Sequence, residues 1–402
     1  MTLMSKRFQF NRMELAGSLG DFGTILPLAL GMIIINGLDP LAVFFCVGIF
    51  YLYSGVYFGV TAPVEPMKVI GAYAVATGIS ATQLFASSAL VGISLLLIGG
   101  TGAIRFLGRY VPKPVIRGVQ LSTGVLLVSQ GVKLMLGASK FQTMKKAAEP
   151  YLAIQNLGAL PIGILIGVVL AALTLLLLEN KKFPAALVVA LVGLAIGLLV
   201  GTHEGLDKLR IGLNLPSFLP KGIPSVADFA GALVILVLPQ LPMTLGNAVI
   251  ANADLSKEYF GETGKRVTYS GLCISMAAAN FLSFFFGGMP MCHGAGGLAS
   301  RYRFGARTAG SNILSGIIFL GIAVLLGRHS LSFFYLLPMS ALGVLLIFAG
   351  SQLTLTLLDM KTRKDLFVPM MVLGITLASN LAVGFLTGIA LAYALKSERL
   401  TV

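Results

Sequence analysis

Apolar runs long enough to cross a bilayer recur from one end of this chain to the other. They fall near 14–36, 40–59, 81–103, 115–136, 160–178, 184–201, 227–251, 267–287, 308–327, 337–356, 365–379 and 380–395. About 20 apolar residues in a helix span a hydrocarbon core of about 30 Å. A soluble fold needs a charged shell of roughly a quarter of its residues. Here 11% are charged and 56% hydrophobic, and the mean hydropathy is +0.92. The reading is an all-α integral membrane protein whose first partner is the lipid bilayer.

Two further stretches, 64–78 and 290–304, are shorter and interrupted by Pro or Gly. With them the count is about fourteen segments, of which two need be only half-spanning. Charge checks the count. With the N-terminus inside and every segment changing sides, the inside connections hold 20 of the Lys and Arg residues and the outside 8, with Lys68 inside a segment. That bias obeys the positive-inside rule, so both termini are expected to be cytoplasmic and the chain to lie in the cell membrane. It also accounts for the net charge of +14 without invoking nucleic acid as a partner. Cys46, Cys273 and Cys292, and the scattered His203, His293 and His329, lack metal-ligand spacing. No metal or other cofactor is expected, no phosphate-binding Gly-rich Lys-Ser/Thr loop is visible, and no catalytic constellation can be assembled.

Seven is odd, so a duplication after the seventh segment gives two halves of opposite orientation, 1–202 and 203–402. The short segments are the third of each half, and each opens on a Pro-Met pair. Matching interrupted segments in two inverted halves are the strongest sequence pointer to a transporter binding site. In Glu65-Pro66-Met67-Lys68, Pro66 suits a first helical turn, whose N–H groups and positive dipole end favour an anion. Lys68, one turn in, adds a full charge, or else simply pairs with Glu65. The partner stretch runs Met289-Pro290-Met291-Cys292-His293-Gly294, and Gly294 permits close backbone approach. Gly296 and Gly297 read instead as a helix-packing surface.

Two more segments carry polar residues where lipid would not tolerate them. Asp21 lies between glycines in the first segment; it is a candidate proton site, a partner for Lys68 or a helix cap. Glu14, nearer the surface, reads as solvated. In the eighth segment Pro239 and Pro242 are expected to break the helix. Gln240, Thr244 and Asn247 share one face if it resumes, and so could wall a site.

These motifs resemble those of the molybdate transporter family, distant relatives of the SulP sulfate transporters. They are ELAGSLGDFGTILPL (14–28), PVEPMK (63–68), PQLPMTLGNAV (239–249) and MPMCHGAGGLASRYRFGARTAGS (289–311). The resemblance implies a seven-plus-seven inverted repeat of the uracil-permease type. It implies a core domain (about 14–104 and 227–327) and a gate domain (about 115–201 and 337–395). A tetrahedral divalent oxyanion would sit between the two broken helices, and homodimers are common among fold relatives. The chain ends just past its last segment, so no cytoplasmic STAS domain is expected. Where the family usually has Gln, this sequence has Glu65, which repels an anion unless protonated or paired with Lys68. The expected function is proton-coupled uptake of molybdate or sulfate, with Asp21 and Glu65 as the acids. Substrate contacts are expected from Glu65, Pro66, Met67, Lys68, Gln240, Thr244, Asn247, Met291, Cys292, His293 and Gly294. Alternatives are a carrier of another anion or of a nucleobase on the same fold, and a passive anion channel.

Overall fold

A computed structural model describes residues 7–104, 111–158, 160–180, 183–204, 206 and 211–397. Of the basic residues used for topology, Lys6, Arg105, Arg109, Lys181, Lys182, Lys208, Arg210 and Arg399 lie outside the described residues. The helices are α1 (Arg12–Ser18), α2 (Phe22–Ile34), α3 (Pro40–Phe58), α4 (Lys68–Thr77), α5 (Ala81–Thr101) and α6 (Lys113–Met135). They continue with α7 (Ile162–Leu177), α8 (Ala185–Val200), α9 (Val226–Phe260), α10 (Tyr269–Phe286), α11 (Ala295–Arg303) and α12 (Gly310–Gly321). The last are α13 (Met339–Thr354), α14 (Arg363–Ala378) and α15 (Leu381–Ala394). Among the described residues, 8 helical stretches are long and apolar enough to cross a membrane, and α4, α7, α8 and α15 are shorter apolar helices.

Local chemistry fixes many of the ends. Asn11, Ser80 and Thr268 each accept from backbone N–H groups one turn on, and Asp39 caps α3 with Pro40 as its first residue. Helices α3 and α10 both stop at a left-handed glycine, Gly59 at φ 70° and Gly287 at φ 76°. Each turns the chain into a short extended stretch that ends in a two-residue strand, β1 (Glu65–Pro66) or β2 (Met291–Cys292). These strands pair antiparallel, Glu65 opposite Cys292 and Pro66 opposite Met291. Helices α4 and α11 begin immediately beyond them.

The helices pack in two groups. In one, α3 packs on α12, α5 on α10, and α11 on the C-terminal part of α9. In the other, α6 packs along α13 and also contacts α14 and α15, while α7 lies on α13. The α6–α13 crossing is close because it is glycine on glycine: a Cβ at Gly124 would stand 2.6 Å from the Gly350 carbonyl, and one at Gly131 2.5 Å from that of Gly343. Small residues allow such backbone approach where the hydrophobic effect gives little drive. Helix α2 touches α8 and α13, and α4 touches α6, joining the groups.

Four expectations are corrected. The helix containing Pro239 and Pro242 is not broken: α9 is continuous, with π-helical stretches at Ala232–Val237 and Thr244–Ala251 on either side of the prolines. Wider i→i+5 bonding offers other N–H partners to carbonyls that proline, having no N–H, leaves without a donor. Pro66 is not in the first turn of α4 but in β1, and Lys68 is the first helical residue. Arg301 is not a loop charge; it lies in α11 and is fully buried. Glu14 is not solvated: its Oε1 accepts from the N–H groups of Arg307 and Thr308, at 3.1 and 2.9 Å, just ahead of α12.

Candidate functional site

The β1–β2 pair brings two helix starts together, and buried amides hold them there. Asn280 of α10 clamps β2 on both sides: its Oδ1 accepts from Met291 N at 3.2 Å, and its Nδ2 donates to Met291 O at 2.8 Å. Asn312 of α12 does the same for the approach to β1, accepting from Ala62 N at 3.0 Å and donating to Ala62 O at 2.8 Å. Extended backbone inside a membrane protein has polar groups that water cannot satisfy, so these amides supply the missing partners.

The two starts are not equivalent. Gln240 of α9 caps α4: its Oε1 accepts from Val69 N at 2.9 Å and Ile70 N at 3.1 Å, and its Nε2 donates to Thr244 Oγ1 at 2.9 Å. At α11 the capping residue is Gly294, which has no side chain to cap with. Among the described residues, nothing accepts from the N–H groups of Ala295 or Gly296. That start keeps its free donors and its positive end.

The Glu65 carboxylate lies against these donors. Lys68 Nζ is 3.2 Å from its Oε2, and Thr24 Oγ1 donates to its Oε1 at 2.8 Å. Glu65 is fully buried, whereas the Lys68 side chain keeps 18% of its surface and lines a cavity of about 580 Å³. Gly20, Thr24, Asn247, Gly296 and Ser300 share that wall with Lys68; Gln120, Thr174, Phe348, Gln352 and Thr356 face them from the other helix group. The cavity extends to the ends of α7, α11 and α13, where Asn180, Arg303 and Thr356 line it.

A second polar cluster lies deeper. Arg301 Nη1 donates to Asp21 Oδ1 at 2.9 Å and to Ser315 Oγ at 3.1 Å; its Nε donates to Thr61 Oγ1 at 2.9 Å and its Nη2 to Asn312 Oδ1 at 3.1 Å. Asp21 accepts in addition from the Tyr51 hydroxyl, at 2.7 Å. Asp21 therefore pairs with Arg301 and not with Lys68; it stands at the N-cap position of α2 without capping it.

The other residues picked from the sequence divide sharply. Glu65, Lys68, Asn247 and Gly294 gather at the α11 start, and Gln240 and Thr244 support the α4 start. Pro66, Met67, Met291 and Cys292 are buried in or beside the strand pair and do not line the cavity. His293 turns away from it. The Pro63 carbonyl can only accept, so Nδ1 carries the proton and donates at 2.7 Å; Nε2 then accepts from Ser275 Oγ at 2.9 Å. Its ring packs on Phe50 and Phe58. Gly296, read as packing surface, lines the cavity instead. Arg301, Asn280 and Asn312 were missed, although Asp21 signalled its partner: a buried carboxylate needs a cation or several donors.

A membrane bundle with two opposed helix starts and a lysine beside a cavity is the architecture of an anion carrier. Solved structures share the fold. Murine solute carrier 26 family member A9, an anion transporter, superposes with a TM-score of 0.68 at 15% identity, over 97% of this chain and 69% of that one. The transmembrane domain of the cyanobacterial bicarbonate transporter BicA gives 0.65 at 18%, over 96% and 98%. The model of the molybdate transporter family, described as within the MFS superfamily, matches residues 13–127 and 232–353. Molybdate transporter 2 of Arabidopsis thaliana is 31% identical over 96% of this chain and 88% of its own length. The chain belongs to the molybdate transporter family, whose members are membrane transporters of anions and not enzymes.

Proposed function

We propose that this chain takes up a tetrahedral divalent oxyanion, molybdate or sulfate, by proton-coupled secondary transport. The observation that carries the reading is the start of α11, whose free N–H groups lie beside Lys68 at a cavity between two helix groups. The uncapped α11 start contributes roughly half a positive charge and Lys68 one more, and both favour an anion. Molybdate is favoured by the name borne by relatives that match nearly the whole chain.

The fourteen-segment inverted repeat is part of this proposal. It is supported by the parallel between the halves: a glycine-terminated helix, an amide clamp, a short strand and a short helix occur in each. On that reading α1–α5 and α9–α12 form the core and α6–α8 and α13–α15 the gate. Movement of one against the other would expose the anion alternately to the two sides. With the N-terminus inside, the cavity reaches the cytoplasmic helix ends, an inward-open state.

Coupling follows from energetics. Importing two negative charges against an inside-negative potential costs roughly 4.6 kcal/mol per 100 mV, and each co-transported proton would cancel half of that term. Glu65 is the acid beside the cavity. Asp21, held by Arg301, is better suited to positioning β1 than to titrating.

Uptake of labelled molybdate and sulfate into proteoliposomes tests the reading. The expected result is saturable uptake, competed by tungstate and driven uphill by an inward proton gradient. Flux that follows only the anion's own gradient would make the protein a channel, and no saturable uptake of either anion would end the proposal.

A further inference from the structure

Among the side-chain atoms at the cavity wall and directly behind it, Glu65 Oε2 stands out. It is buried, it accepts no hydrogen bond among the described residues, and its one close charge is Lys68 Nζ at 3.2 Å. Its position is set by what surrounds it. A Cβ placed on Gly294 would stand 1.8 Å from Oε2, and one on Gly297 would stand 2.6 Å from Oε1. The two glycines thus leave room for a carboxylate against the first turn of α11. A carboxylate of the protein's own therefore lies beside the first turn of that helix, without accepting from its N–H groups.

Resting on the oxyanion reading above, we propose that the Glu65 carboxylate is a tethered anion that competes with substrate for Lys68 and the α11 start until Oε2 is protonated. Protonation forms an O–H bond on Oε2 and removes the negative charge facing Lys68. Thr24 Oγ1 lies 2.8 Å from Oε1 and 2.8 Å from the Asp21 carbonyl, so its single proton is shared between them and Oε1 keeps this neighbour while the charge on Oε2 changes. The Lys68 ammonium, already at the cavity, is then free to meet a dianion. One residue thereby links proton and substrate binding without a separate proton site.

Charged and titratable groups face Glu65 from the neighbouring elements. Lys68 on α4 is its partner, and Cys292 on β2 lies opposite it in register. Asp21 at the head of α2 is neutralised by Arg301 of α11 and hydrogen-bonded by Tyr51 of α3. A neutralised Asp21 leaves Glu65 as the carboxylate whose charge bears on Lys68.

The test is calorimetric titration of the purified full chain with sulfate, which stays a dianion from weakly acidic to weakly alkaline pH. Molybdate is titrated over the neutral and alkaline part of that range. Wild-type affinity is expected to weaken as pH rises, by up to about tenfold per pH unit, the limit for linkage to one proton. Glu65→Gln, which keeps the shape and loses the charge, is expected to bind tightly at every pH. Wild-type affinity that is firm but flat with pH would overturn the tethered anion and leave the oxyanion reading intact. A pH slope that survives in Glu65→Gln would overturn it as well. Failure of both anions to bind wild type at any pH would instead remove the oxyanion reading beneath it. A flat wild-type profile overturns the tethered anion even if the variant does not fold.

Discussion

Two buried acid–base pairs sit near one another in this molecule and are built to opposite specifications. Asp21–Arg301 is sealed: both side chains are fully buried, and the guanidinium donates to Asp21, Thr61, Ser315 and Asn312 as well as to the Ser18 carbonyl. Glu65–Lys68 is open on one side: the lysine reaches the cavity, and Oε2 of the acid accepts no hydrogen bond among the described residues. Saturation of every donor and acceptor locks a charge pair in one arrangement, because any movement strands a buried charge. An unsaturated pair has an alternative partner available to it. The difference teaches that buried charge alone does not tell the two pairs apart; incomplete satisfaction beside a cavity does.

The comparison breaks first at the sealed pair. Arg301→Leu leaves the Asp21 carboxylate without its cation, a loss of about 3–5 kcal/mol for a broken buried pair. Thermal unfolding in detergent is expected to show a large drop, or the protein to vanish from the membrane. Wild-type stability would mean the cluster does not hold β1 in place.

The open pair is expected to respond in binding rather than stability. Lys68→Ala removes a charge-assisted contact of about 1.5–3 kcal/mol, and so weakens oxyanion binding by about ten- to a hundredfold. Glu65→Gln/Lys68→Ala is expected to stay weak if Lys68 meets the anion directly, as proposed. Recovery of near-normal affinity in that double variant would reduce Lys68 to a neutraliser of Glu65.

Gly294→Ala sharpens the contrast further. Its Cβ would displace the Glu65 carboxylate, so transport is expected to fall severalfold while protein abundance in the membrane is unchanged. An active Gly294→Ala protein with an unchanged pH profile would show that the carboxylate does not need this space.

The smallest effect is on activity in the topology test. A single cysteine at Lys145, in a background lacking the three native cysteines, is expected to react with an impermeant thiol reagent from outside. One at Arg303 is expected to stay unlabelled from outside. The reverse pattern would invert the orientation of cavity and gate.

Hydropathy and charge made the membrane-embedded helices legible, because lipid leaves no choice for an apolar run of bilayer length. The Pro-Met pairs and glycines made the two interruptions legible for a similar reason: backbone that leaves a helix must be signalled by residues that permit it. Those local rules bring Glu65, Lys68 and Gly294 to the two interruptions. They could not say that Pro239 and Pro242 lie in a continuous helix, since π-helical bonding on either side depends on the neighbours against which α9 packs. Nor could they separate Arg301 from the loop charges around it. Arg303 and Arg307 are its neighbours in sequence and nothing local distinguishes them; only the fold sets Arg301 against Asp21, 280 positions away. The turn of His293 away from the cavity and the asymmetry between the two helix starts were likewise decided across the chain. Sequence fixes what a segment must do with its own backbone, while the partner of a buried polar group is chosen by whichever distant element packing brings within hydrogen-bond reach.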